Sequence, residues 1–221
     1  MNDVVFLMPI KVNSTRVKNK SIKTLVGRPL FCWSLETLDM LNVPIYVFSS
    51  QCELLKKKLD FTSKNIIFLN RPKELDEDDV LGIQIYKSFK ELVPSKNYIL
   101  THCTSPFISL DSYKKAVDTI SKDSIESIVA VNKIKTFCWY NDKEINFTLP
   151  RPKTQDLLPV LVETSGIYGY KSHVLETNSR TSKKCKKIEL NSFESIDIDE
   201  YEDFNHAEAI LTHVLLKKEK R

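Results

Sequence analysis

Apolar positions along the chain follow two rhythms. Short runs rich in β-branched and aromatic residues, at 4–10, 45–48, 66–69, 98–100 and 128–131, predict buried strands. Between them, apolar residues recur at helical spacing over 29–41, 50–59, 79–92 and 109–120. Pro29 suits a first helical turn, Ser50 with Glu53 three residues on has the form of a capping box, and Ser109 or Asp111 is placed to cap the fourth helix. Strands alternating with helices predict an α/β fold, a doubly wound and mostly parallel Rossmann-like sheet covered on both faces. Its ligand site is expected beyond the carboxyl ends of the strands.

The alternation breaks between residues 132 and 163. Two short aromatic or apolar pieces (137–140 and 145–149) and three prolines (Pro150, Pro152, Pro159) read as an inserted β-ribbon or arm. The strand pattern resumes at 166–170 and 187–190. A closing helix over 200–218 carries Tyr201, Phe204, Ala207, Ile210, Leu211, Val214 and Leu215 on one face. The expected organisation is one domain, 1–221, with an inserted arm at about 132–162.

Composition narrows the class. The 221 residues are 42% hydrophobic, 10% aromatic and 28% charged, which excludes disorder as a whole-chain description. No run reaches the roughly 18 apolar residues of a membrane span, and no basic segment leads into an apolar stretch at the start, so a cytoplasmic protein with no membrane partner is expected. Five scattered cysteines (Cys32, Cys52, Cys103, Cys138, Cys185) without a CxxC pair point to free thiols rather than disulfides or zinc. A net charge of +4 carries no nucleic-acid argument. Much of it sits in the cluster Lys183, Lys184, Lys186 and Lys187 and in Lys217, Lys218, Lys220 and Arg221, both read as solvated faces.

Three segments carry candidate chemistry. After the first strand, residues 11–20 gather Lys11, Arg16, Lys18 and Lys20 with Asn13, Ser14 and Thr15. Arg grips phosphate with paired hydrogen bonds and Lys adds a point charge, so this loop outlines a polyphosphate site, although solvated surface loops share its composition. With only four glycines in the chain, such a loop must rely on side chains more than on a glycine-lined cradle. In the second segment, Ser195-Ile-Asp-Ile-Asp-Glu200, strand alternation places Asp197 and Asp199 on one face, about 6–7 Å apart. Two carboxylates can share Mg²⁺ with substrate phosphate oxygens; the competing reading is that Asp199 caps the following helix with Glu202. The third, His102-Cys-Thr-Ser-Pro-Phe107, is a polar turn after a strand where Thr104 and Ser105 can bond a base or their own backbone. Four scattered histidines assemble no hydrolase triad.

In order and spacing these segments resemble the acylneuraminate (CMP-sialic acid) cytidylyltransferases and the related 3-deoxy-manno-octulosonate cytidylyltransferases. The resemblance runs through Phe6-Leu-Met-Pro-Ile-Lys-Val-Asn-Ser-Thr-Arg-Val-Lys-Asn-Lys-Ser21, Gly27-Arg-Pro-Leu30, Arg71-Pro-Lys-Glu-Leu-Asp-Glu-Asp78, Leu100-Thr-His-Cys-Thr-Ser-Pro-Phe107, Gln155-Asp-Leu-Leu-Pro159, Ser165-Gly-Ile-Tyr168 and Ser195-Ile-Asp-Ile-Asp-Glu-Tyr-Glu-Asp-Phe204. It implies a nucleotidyltransferase domain with a dimerisation arm, hence a homodimer. It also implies Mg²⁺ as cofactor, and CTP with a small acidic sugar as substrates. By similarity Lys11, Arg16 and Lys20 are catalytic. Asn13, Ser14, Thr15, Arg71 and His102 join them in binding nucleotide. Lys135, Gln155 and Glu163 contact the sugar, and Asp197 and Asp199 hold the metal. The sequence departs from the sialate pattern at Asn13, Thr15 and Ser21, and His102 and Cys103 stand where base recognition is expected. Glu163 occupies a position where an arginine suited to the sugar's carboxylate is common, so the acceptor is expected to differ from sialic acid itself.

Two further readings use the same residues: a metal-dependent glycosyltransferase, whose Asp-x-Asp normally follows a mid-chain strand, and a non-catalytic nucleotide-binding homologue. A nucleic-acid module lacks an aromatic platform among its basic residues.

Overall fold

In a computed structural model, which describes residues 3–219 and side chains through residue 214, the apolar runs become seven strands of one sheet. They are β1 Val4–Pro9, β2 Ile45–Ser49, β3 Ile66–Asn70, β4 Asn97–Thr101, β5 Ser127–Ile134, β6 Val160–Lys171 and β7 Cys185–Leu190. The spatial order is β7-β5-β6-β4-β1-β2-β3, parallel except for β6, which runs antiparallel to both neighbours. The helices are α1 Leu30–Asp39, α2 Cys52–Lys58, α3 Gly82–Leu92, α4 Leu110–Ile120 and α5 Tyr201–Glu219.

Strand alternation separates two cores. Phe6, Met8, Ile99, Ile128 and Ile167 face α1, α2 and α4, whereas Val5, Leu7, Leu100, Val129 and Tyr168 face α3 and the 3₁₀ turn Ser172–Thr177. Both sheet faces are thus covered, as a parallel sheet requires. β1 and β4 are parallel neighbours whose chains leave toward opposite edges of the sheet. That topological switch opens a crevice beyond their carboxyl ends. A third apolar cluster, with Val17, Leu30, Phe107, Ile198 and Phe204, docks α5 over that end.

Several local expectations need correction. Helix α2 starts at Cys52 without a side-chain cap, because the Ser50 hydroxyl turns away to bond Asp76. Helix α3 starts at Gly82 rather than 79, with the Gln84 side chain accepting from the Leu81 amide. Ser109 is the cap of α4, accepting from the Ser112 amide at 3.2 Å. In the arm, Trp139–Tyr140 pairs with Lys143–Glu144, and 145–149 is not a strand. There the Asn146 side chain takes the backbone partners a ladder would use, bonding the Cys138 amide and the Thr136 and Leu158 carbonyls. Residues 132–134 and 160–162 belong to β5 and β6 themselves. The side chains of Leu215, Lys217 and Lys218, and all of Lys220 and Arg221, lie outside the described residues. Among the described residues no helix is long and apolar enough to cross a membrane.

Candidate active site

The loop leaving β1 is shaped without glycine. Ser14 Oγ donates to the Val17 carbonyl and accepts from the Lys20 amide, each at 2.7 Å, and Asn19 takes the left-handed conformation (φ 54°) that closes the turn. Val17 points inward and is fully buried against the third apolar cluster. Arg16 and Lys18 on either side therefore face out. The turn is thus closed by a serine hydroxyl and by an asparagine in the left-handed region.

Residues 196–199 run extended beside this loop. Ile198 is fully buried in the same cluster as Val17, and its amide bonds the Thr104 carbonyl at 2.8 Å. Burying a side chain of this size contributes about 1.5–3 kcal/mol. With Ile198 turned inward, Asp197 and Asp199 point to the opposite side, into the crevice. The capping reading of Asp199 is not what the structure has: Asp203 Oδ2 reaches back to the Asp199 and Glu200 amides at 2.9 and 2.8 Å, leaving the Asp199 carboxylate free for other partners. Upstream, buried Glu194 accepts from the Ser109 amide and hydroxyl, the Ser112 hydroxyl and the Asn191 side chain, tying the segment to the start of α4. Burial pushes its carboxyl pKa up, but these hydrogen bonds outweigh burial and hold it below the usual range.

Together the two segments and the turn after β4 enclose a cleft of about 350 Å³ whose lining includes Lys11, Ser14, Arg16, Lys20, His102, Asp197 and Asp199. Lys20, nearly buried, donates to the Ile198 carbonyl at 2.5 Å and to Asp199 Oδ1 at 3.0 Å. Arg16 meets the same oxygen at 3.1 Å and Glu200 at 3.6 Å. Burial alone would raise the Asp199 pKa; the hydrogen bond from Lys20 and the two positive charges reverse this and keep it ionised. Asp197 lies 3.4 Å from the Ser105 hydroxyl. His102 Nδ1 is 2.8 Å from the Ser165 carbonyl, which fixes the proton on Nδ1 and leaves Nε2 as an acceptor. Desolvation lowers its pKa, so the ring is neutral. Burial pushes the Cys103 thiol up to about 12. The Ser21 hydroxyl, buried in the same wall, has no protein partner. Two hard carboxylates on one wall opposite a basic loop match the donor chemistry of Mg²⁺, which keeps water and substrate oxygens in its remaining positions. Among the described residues no cluster of three or more His, Cys, Asp or Glu forms a metal cage.

The remaining candidate residues are spread outward. A second cleft shares Pro9, Lys11 and His102 with the first and reaches Arg71 and Asp78. Lys11 spans its mouth to Asp78 at 2.7 Å. Arg71 is buried, held by the Ile10 carbonyl at 3.3 Å and by Asp76. Asn13 and Thr15 are exposed on the outside of the loop and do not line the first cleft. Lys135 bonds the Gln155 carbonyl within the arm; both are exposed, and neither lines any of these clefts. Glu163 lines a third cleft, against α3. Ser165, Glu194 and Asp203 were not singled out by sequence, since nothing local distinguishes a serine, glutamate or aspartate that acquires its partners only on folding.

The family model described as "Cytidylyltransferase" matches residues 5–220. N-acylneuraminate cytidylyltransferase A of Danio rerio is 26% identical over 195 residues, covering 81% of this chain; the chain spans 44% of that relative's length. Among solved structures, a CMP:2-keto-3-deoxy-manno-octonic acid synthetase complexed with CTP superposes with a TM-score of 0.68 at 15% identity, covering 95% of this chain and 98% of that one. A 4-diphosphocytidyl-2C-methyl-D-erythritol synthase from Anaerococcus prevotii gives 0.66 at 15%, covering 96% of each. At such identities the superpositions bear on the fold, and the matching sheet is a nucleotidyltransferase sheet.

Proposed function

This chain belongs to the cytidylyltransferase family, and from that premise we propose that it transfers CMP from CTP to an acidic sugar, releasing pyrophosphate. The observation that carries the reading is the cleft at the β1/β4 switch. There a cationic loop and a pair of carboxylates, brought together from opposite ends of the chain and linked through Asp199, line one space of about 350 Å³. That space is lined by four cationic or hydroxyl side chains of the loop, Lys11, Ser14, Arg16 and Lys20, suited to phosphate oxygens.

In the proposed reaction an acceptor hydroxyl oxygen bonds to the α-phosphorus of CTP while the bond to the bridging β-phosphate oxygen breaks. Pyrophosphate departs in line, and the hydroxyl proton passes to water. Lys11 and Arg16, at the rim, bind the outer phosphates and take up charge as pyrophosphate leaves. Lys20 keeps the loop and Asp199 in register, and its charge reaches the same space. Neutral His102, with Nε2 free, accepts a hydrogen bond from the base or ribose. Asp197 and Asp199 would hold Mg²⁺, which when bound would supply neutralisation of phosphate charge. Catalysis is then positioning and charge neutralisation.

A homodimer through the arm belongs to the same proposal. Trp139, Tyr140, Ile145, Leu149 and Leu158 are all exposed on this one segment, an apolar surface suited to a second copy.

The test is calorimetric titration of CTP, UTP, ATP and GTP, with and without Mg²⁺, into the purified chain. CTP binding that is selective by about tenfold or more and strengthened by Mg²⁺ is expected. No nucleotide binding, or binding indifferent to both base and metal, contradicts the proposal and favours a homologue that keeps the fold without turnover.

A further inference from the structure

The third cleft raises a charge problem. It holds about 400 Å³ between the start of α3, β6 and the 178–181 turn, and Glu163 is exposed on its wall. A carboxylate there repels the carboxylate of a sugar acid, at the position where the resemblance expects an arginine. The same cleft contains a cation from elsewhere, Arg180.

Arg180 is held in an unusual way. Its guanidinium carbon lies over the Tyr168 ring, 3.7 Å from the centroid, and Nη1 is 3.4 Å from the Tyr86 hydroxyl. Among the described residues it forms no ion pair, so its charge is oriented by aromatic groups without being neutralised. The turn beneath it is fixed. Asn178 takes φ 55°, Ser179 Oγ donates to the Thr181 carbonyl at 2.8 Å and accepts from the Thr181 amide at 3.1 Å, and the Ser182 amide bonds Ser127 Oγ at 2.9 Å. Gly82 makes room on the facing side, since a Cβ there would sit 2.8 Å from the Tyr86 hydroxyl.

The cleft also communicates with the phosphate site. Tyr86 lines both the third cleft and the second, and the second shares Pro9, Lys11 and His102 with the first. A planar, pre-oriented and unpaired guanidinium suits bidentate recognition of a carboxylate.

We infer that Arg180 binds the carboxylate of the acceptor, supplying from the 178–181 turn the cation that Glu163 replaces on β6, and so selects a sugar acid over an uncharged sugar. This rests on the cytidylyl-transfer reading above. With the carboxylate on Arg180, Glu163 in the same cleft is left to accept hydrogen bonds from the acceptor's hydroxyl or amino groups.

The test uses the full chain as wild type, Arg180→Gln and Arg180→Lys. CTP affinity is read by calorimetry. Pyrophosphate release is read with 2-keto-3-deoxy-manno-octonic acid, N-acetylneuraminic acid and the primary amide of each. In the wild type the acids are expected to outperform the amides. In R180Q the KM for the acid should rise about 30-fold or more, CTP affinity should stay within about twofold, and the preference for acid over amide should vanish; R180K should regain part of both. The inference is overturned if R180Q leaves the acid KM unchanged, if it weakens CTP and acid alike, or if a wild type that binds CTP uses neither acid or uses the amides equally well. A wild type that fails to bind CTP removes the cytidylyl-transfer reading itself, and the inference with it.

Discussion

The cleft at the β1/β4 switch and the arm use the same kinds of residue to opposite ends. At the cleft, apolar side chains are spent on anchoring: fully buried Val17 and Ile198 join the basic loop to the aspartate segment, so that the charges beside them have fixed directions. In the arm, Phe147 and Leu157 are buried in a small core where Phe147 packs on Phe137 and Trp139 at 4.9 and 5.3 Å, while Leu149 and Leu158 remain 71% and 76% exposed. The cleft draws its lining from loops at both ends of the chain; the arm leaves apolar surface uncovered. The contrast separates apolar residues that fix a site from apolar surface proposed to meet a second copy, and it can be broken at either end.

The largest effect is expected at the cleft. Asp199→Asn removes one of the two carboxylates proposed to hold Mg²⁺ and the shared partner of Arg16 and Lys20. Metal-dependent turnover should fall about 100-fold or more, roughly 3 kcal/mol in the barrier. The oligomeric state by light scattering should not change. Retained turnover, or a change of oligomer without loss of activity, would collapse the distinction between the regions. At the arm, Leu149→Asp with Leu158→Asp places two charges on the exposed apolar face. Sedimentation should shift from dimer to monomer, with CTP affinity altered by no more than about threefold. A monomeric wild type would show that the face has some other use.

How much of this could be read from the sequence follows the same division. All seven sheet strands and five helices carried a periodic signal, and the pairing of residues 11–20 with 195–200 was foreseeable because each lies at the end of an element in the alternation. The arm was legible as a break in pattern but not in detail, because Asn146 there outcompetes strand pairing through its side chain. Asp203 was invisible as a cap because an aspartate inside the first helical turn signals only a dipole preference until its partners are seen. Arg180 lies outside every motif, and its meaning comes only from Tyr168, Tyr86 and Glu163 being brought around it.

The smallest effect sharpens the comparison through the cysteines. Cys103 belongs to the cleft and is buried, whereas Cys138 belongs to the arm and is half-exposed. Only the thiolate alkylates, and burial pushes the Cys103 pKa up to about 12, so iodoacetamide at pH 8 should label Cys138 well before Cys103. The sign for stability follows. The folded chain keeps the Cys103 proton where an unfolded chain, with a thiol pKa of about 8.5, has lost it. This contribution is therefore intact below about pH 8.5 and declines as pH rises toward the folded value. Labelling at pH 9.5 should accordingly reach Cys103 through unfolding, with a rate that rises with urea, while labelling of Cys138 is insensitive to urea. Equal and urea-independent labelling of both cysteines at pH 8 would mean that the cleft wall is as open as the arm, and that the anchoring by Val17 and Ile198 does not hold it closed.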